Sequence, residues 1–215
     1  MFRIVGAPVD IGRSVRGGLQ QQRKIRQLKV LTSWFLQNTG RQFGDYNYGC
    51  HCNLDASPGI LGVGKMVDDT DRACNDHSQC YRCLGDAYEG ECDGHLSGYR
   101  AELFKDEITG KPWMECTNKI DTCRYNICQC DKALAESLAH LASGYDPDYY
   151  NSPFILTSWF GKETECVKQN HGLEKSSGSG GFQGCCGDKS TFPFNQPRNA
   201  AQCCDGYEAK PFGSC

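Results

Sequence analysis

Of the 215 residues, 16 are cysteine, about 7% of the chain, and the formal net charge is −3. So many cysteines, even in number, indicate disulfide staples, and disulfides persist in oxidising compartments, so a secreted, extracellular protein is expected. No apolar run approaches the roughly 18–20 residues that cross a bilayer, and the near-balanced charge argues against nucleic acid as the partner. Hydrophobic residues at 39% and 25 glycines imply a modest core that depends on its staples. Zinc is disfavoured, because only Cys80–Cys83 has C-x2-C spacing and it lacks a second half.

Residues 1–23 hold four arginines, no cysteine, and no run of the about 7–15 apolar residues that a secretory signal needs. The leader is therefore expected to lie outside this sequence or to have been cleaved from it. This extension is read as a propeptide or a mature segment. From Lys24 to Leu36, Ile25, Leu28, Leu31 and Phe35 recur at helical spacing with basic and amide residues between them, which predicts an amphipathic, core-packing helix. Tyr48 to Asp69 reads as a long glycine-bearing loop with Cys50 and Cys52 at its start.

Asp68 to Leu84 reads as a helix opened by acidic residues that suit its N-terminal dipole. Residues 98–116 predict a β-hairpin turning near Thr109-Gly110. Thr117 to Ser143 is the longest helical candidate, stopped by Gly144 and Pro147. The Ser/Gly-rich stretch within 171–184 has linker composition and precedes a tail, 185–215, with five cysteines. The division expected is an N-terminal extension (1–23), a main body (24–170), a linker (171–184) and a cysteine-rich tail (185–215).

The chemistry sits in Asp68-Asp69-Thr70-Asp71-Arg72-Ala73-Cys74-Asn75-Asp76-His77-Ser78-Gln79-Cys80-Tyr81. On a helix, Cys74, His77 and Tyr81 share one face. A second helix supplies Cys123, Cys128, Cys130 and Asp131, and a Cys80–Cys130 bridge would set Asp131 beside His77. A carboxylate fixing one imidazole nitrogen leaves the other to act as a general base.

With these residues the chain resembles the secreted phospholipase A2 family. Tyr48-Gly49-Cys50-His51-Cys52 is similar to that family's calcium-loop opening, Asp68 to Tyr81 to its catalytic helix, and Cys128-Gln129-Cys130-Asp131 to the partner helix. The resemblance spans roughly 24–166. It implies a mainly α, disulfide-rich fold with two long antiparallel helices and a short β-hairpin, and a cysteine-rich C-terminal extension follows here. By the same resemblance His77 is the base, Asp131 its orienting carboxylate and Tyr81 a second hydrogen-bond partner. The implied bridges are Cys50–Cys166, Cys52–Cys74, Cys80–Cys130, Cys92–Cys123 and Cys116–Cys128. A further family bridge would join positions 73 and 137, which here are Ala73 and Ser137, so both ends are missing together.

The departures bear on the cofactor. Where the family places a bidentate calcium-binding aspartate, this chain has Ser78. The loop after Cys52 is about six residues longer than the family's glycine-rich turn, whose carbonyls wrap the ion. His51, Asn53 and Asp55 remain as a weak candidate calcium loop, so a weak or absent calcium site is expected. The six cysteines left over, Cys83 and five in the tail, cannot all pair within the tail. A Cys83–tail bridge is expected, with an intermolecular bridge or a free thiol as the alternatives.

The tail's two cysteine pairs, with Pro193-Phe194-Asn195 between them, are weakly similar to the repeats of galaxin-type matrix proteins. A stapled extension that merely stabilises the body is the other reading. Trp159-Phe160 is either buried packing or a lipid-facing patch, and His51, His95, His140 and His171 lack mutual ligand spacing. Asn-x-Ser/Thr is absent.

Three functions stand open. The first is a non-catalytic, otoconin-like extracellular matrix or binding component, its partner a phospholipid surface, matrix or biomineral. Against mineral, the net charge of −3 is slight and there is no acidic run. The second is an active phospholipase A2 cleaving the sn-2 ester, and the third is a subunit of an extracellular oligomer.

Overall fold

The computed structural model describes residues 17–54, 66–150, 166, 185–187, 192–193, 202–211 and 213–215. Three helices dominate: α1 (Gly17–Leu36), α2 (Asp69–Ala87) and α3 (Cys123–Leu141). Three two-stranded antiparallel ladders complete the described part: β1 (Asn47–Tyr48) with β2 (Cys52–Asn53), β3 (Ala101–Lys105) with β4 (Pro112–Cys116), and β5 (Gln202–Asp205) with β6 (Glu208–Pro211).

Helix α2 starts where Asp68, in extended backbone, accepts the Asp71 N–H at 2.8 Å, with Asp69 and Asp71 in the positive first turn. Helix α3 starts at the Thr122 cap, later than the expected Thr117, because Pro112–Cys116 is a strand and the following turn includes Asp121 at φ +61°. Its end grades into a 3₁₀ turn at 142–144, just before the expected stop. Helix α1 begins at Gly17, seven residues before the expected start at Lys24, and so runs across the boundary drawn at 23/24.

Helix α3 packs against both α1 and α2. The α2–α3 register is antiparallel: His77 meets Asp131, Cys80 meets Cys130, and Tyr88 meets Asn126. Two apolar clusters result. One joins Leu31 and Phe35 of α1 to Tyr81 and Leu84 of α2, Met114 of β4 and Ile127 of α3. The other joins Leu28 and Leu36 to Phe43, Tyr46, Tyr48, Leu134 and Leu138.

All five bridges implied by the family resemblance are formed. Cys83 bonds Cys185, which ties the tail to the body, and Cys186 bonds Cys204 on β5. Phe192 of the tail packs against the first apolar cluster. The stretch holding Trp159-Phe160 and the 171–184 linker lie outside the described residues. Because Ile127 is fully buried where α3 meets the first cluster, Ile127→Ala should cost about 2–5 kcal/mol, read as a lower denaturant midpoint at unchanged slope.

Candidate functional site

The inner face of α2 carries Cys74, His77, Ser78, Tyr81 and Leu84, all buried at helical spacing. Asp131 lies one turn beyond Ile127 on the buried stripe of α3, and the Cys80–Cys130 bridge fixes its height opposite His77. His77 Nε2 is 2.9 Å from Asp131 Oδ1, and the Tyr81 hydroxyl donates to the same oxygen at 2.5 Å. Asp131 accepts two more bonds on Oδ2, from the Tyr99 hydroxyl at 2.7 Å and from Lys24 Nζ at 2.5 Å. His77, Asp131 and Tyr81 are thus brought together as the sequence implied, and Tyr99 and Lys24 join them.

Burial alone would raise the Asp131 carboxyl, but the Lys24 ammonium and the His77 N–H outweigh it and hold Asp131 well below the usual carboxylate range. Burial pulls Lys24 below the usual lysine range, with Asp131 pulling it back. Burial, and then the charge of Asp131, push the Tyr81 and Tyr99 phenols well up, so both remain hydrogen-bond donors. An ionised carboxylate can only accept, so His77 Nε2 must carry the proton. Nδ1 is then the lone-pair nitrogen; it is buried and has no hydrogen-bond partner among the described residues. Such an imidazole can take a proton from a reacting group at Nδ1.

Local backbone makes room for this cluster. A Cβ on Gly94 would lie 2.4 Å from Tyr81 Cγ, so only glycine lets the 88–100 segment close over the ring. Gln27 of α1 grips the backbone of Tyr99 on both sides, donating to its carbonyl at 2.7 Å and accepting its N–H at 3.3 Å. The loop entering α2 is gathered on a second buried carboxylate. Asp71 accepts N–H bonds from Cys50 (3.0 Å), His51 (2.6 Å) and Val67 (3.1 Å), and Gly49, at φ +57°, passes where a Cβ would meet Asp71 Cγ at 2.4 Å.

Ser78, beside His77, is 2% exposed, and its hydroxyl donates to the Cys74 carbonyl at 3.1 Å. His51 is buried with its N–H given to Asp71, and Asn53 pairs with Asn47 in the β1–β2 ladder. Asp55 lies outside the described residues. Among the described residues no group of three or more His, Cys, Asp or Glu is placed to hold a metal ion.

The phospholipase A2 family profile matches residues 28–150, and a basic phospholipase A2 homolog, LmutTX of Lachesis muta muta, is 35% identical over 59% of this chain and 93% of its own length. The chain belongs to the phospholipase A2 family. It is also similar to the membrane-associated phospholipase A2 of Mus musculus, 33% identical over 55% of this chain and 70% of that protein. Phospholipase A2 homolog 1 of Bothrops atrox is 33% identical over 58% of this chain and 79% of its own length. Relatives named as enzymes and relatives named as homologs are thus both about a third identical to this member of the phospholipase A2 family.

Sequence reading missed Lys24, Gln27, Tyr99 and Asp71. Lys24 had a legible signal: it lies four residues before Leu28 and seven before Leu31, on the buried stripe, whereas the Ile25 assigned there is half-exposed. Asp71 lies three residues before Cys74 and seven before Ser78 on the buried face of α2, whereas Tyr99 carried no periodic signal.

Asp131 has its folded carboxyl pKa below the unfolded value, so its contribution to stability is full above the unfolded value and is lost as pH falls. Between about pH 4 and the lowered folded value, stability should therefore fall more steeply in the wild type than in Asp131→Asn, read by thermal melts across that range. At neutral pH Asp131→Asn should cost about 3–5 kcal/mol, because it strands a buried ammonium.

Proposed function

We propose that this chain is an extracellular, non-catalytic member of the phospholipase A2 family that serves as a binding or matrix component. One observation carries the reading: Ser78 presents a neutral, buried hydroxyl already given to the Cys74 carbonyl where the family's calcium carboxylate is expected. Calcium needs several hard oxygen ligands, usually with negative charge among them, and Ser78 brings no carboxylate to that position. Electrostatic stabilisation of a developing oxyanion is worth several kcal/mol, and losing about 4 kcal/mol slows a reaction about a thousandfold.

The remaining constellation would then be retained as a hydrogen-bonded scaffold. Sixteen cysteines, the tail tied through Cys83–Cys185, and relatives named as homologs support an extracellular binding role. The galaxin-like tail directs it toward matrix or mineral, while the family as a whole directs it toward phospholipid surfaces. The four-part division of the chain stands with this proposal.

A second reading has its own observation. His77, Asp131 and Tyr81 keep base geometry with Nδ1 unpartnered, which is what an active phospholipase A2 would need. Hydrolysis of phospholipid vesicles with calcium and with a chelator separates the two. The wild type should show no calcium-dependent turnover, and Ser78→Asp should gain it and lose it again when His77→Gln is added. Calcium-dependent turnover by the wild type, abolished by His77→Gln alone, would overturn the non-catalytic reading. Co-sedimentation with calcium carbonate crystals or with vesicles then identifies the surface bound.

A further inference from the structure

The cluster around Asp131 contains a charge that neither functional reading uses. Asp131 is fully buried, and Lys24, His77, Tyr81 and Tyr99 around it are each no more than 5% exposed. Every direction from which the carboxylate can accept is taken: His77 and Tyr81 on Oδ1, Tyr99 and Lys24 on Oδ2. The ammonium of Lys24 also lies over two ring faces, 4.3 Å from the centroid of Tyr99 and 5.4 Å from that of Tyr81.

The titratable groups packed about the pair come from four sides. Helix α1 gives Lys24, α2 gives His77 and Tyr81, and α3 gives Asp131. The 88–100 segment gives Tyr99, His95 against the Tyr81 ring at 5.4 Å, and Asp93, whose charge reaches Tyr81. Within hydrogen-bond reach of Asp131, among the described residues, Lys24 is the one permanent-type cation.

We infer that Lys24 is a positioning residue whose buried positive charge, balancing Asp131, keeps the Nδ1 lone pair of His77 free. Unlike Asp71, which sits in the positive first turn of α2 under three backbone N–H groups, Asp131 lies mid-helix, so without an opposite charge it draws a proton, because isolated charge is costly away from water. If Lys24 were neutral, the cluster would take up one proton between His77 and Asp131. A proton added to the imidazole occupies Nδ1. A proton placed on Oδ1 reverses the bond to Nε2, which then accepts, and the ring's own proton moves to Nδ1. Either way the lone pair is lost. With the ammonium in place the proton is not needed, Nε2–H points at Oδ1, and Nδ1 stays open. This holds for the silent and the active readings alike and goes beyond both.

The test is 15N NMR of the histidine rings and lysine ammonium groups of the full chain at pH 7, with the His77 signal assigned by its loss in His77→Gln. In the wild type Nδ1 should carry no proton, Nε2 should carry one, and Lys24 should show a slowly exchanging ammonium. Lys24→Met should give a protonated Nδ1. Lys24→Gln should do the same, since an amide restores the hydrogen bond without the charge, and Lys24→Arg should restore the wild-type pattern. A free Nδ1 lone pair in Lys24→Met or Lys24→Gln overturns the inference. So does a neutral Lys24 amine in the wild type, a measurement that needs no variant to fold.

Discussion

A single buried carboxylate organises this protein. Taking the charge of Asp131 out of water is costly unless every acceptor direction is filled and an opposite charge is near, and the chain meets both demands from three separate segments. Helix α1 contributes Lys24, α2 contributes His77 and Tyr81, and the 88–100 segment contributes Tyr99. None of these donors can move without leaving a polar group unpaired in a closed interior. The site is therefore as much a structural keystone as a chemical one.

The staples serve that keystone. Cys80–Cys130 sets the height of α2 against α3, Cys92–Cys123 ties the end of α2's following segment to the start of α3, and Cys116–Cys128 holds β4 to α3. Each closes a loop near the cluster, so loop entropy is removed from the unfolded chain where precision is needed. A second carboxylate, Asp71, does comparable work for the loop before α2 by gathering three backbone N–H groups. The two carboxylates differ in kind: Asp71 is satisfied by neutral backbone dipoles, whereas Asp131 also has a full cation.

That difference frames the departure at Ser78. The family's chemistry concentrates negative charge beside the histidine for a divalent ion, and here the position next to His77 is neutral and its hydroxyl is turned back to its own helix. Of the two buried carboxylates, Asp131 is paired with the Lys24 ammonium and Asp71 with backbone N–H groups. The Cys83–Cys185 bridge ties the start of the tail to α2.

Much of this was legible in the residues alone. The spacing of Cys74, His77 and Tyr81 placed them on one helical face. The joint loss of half-cystines at Ala73 and Ser137 fitted the bridge pattern that the family resemblance implies, all five of whose bridges the structure forms, and the odd cysteine count of the tail favoured a Cys83–tail bridge over a free thiol or an intermolecular one. These features are local or combinatorial, so sequence could determine them. What only the tertiary structure decided was what a lysine does on the inner face of α1. Helical spacing from Leu28 and Leu31 allows position 24 on the buried stripe, but an apolar preference points to Ile25, and Lys24 is the buried one because a carboxylate on α3 stands opposite it across 107 positions of sequence. Tyr99 and Asp71 likewise acquire their roles from partners distant in sequence. Charge compensation in a closed interior depends on position in space, and a linear pattern does not carry that information.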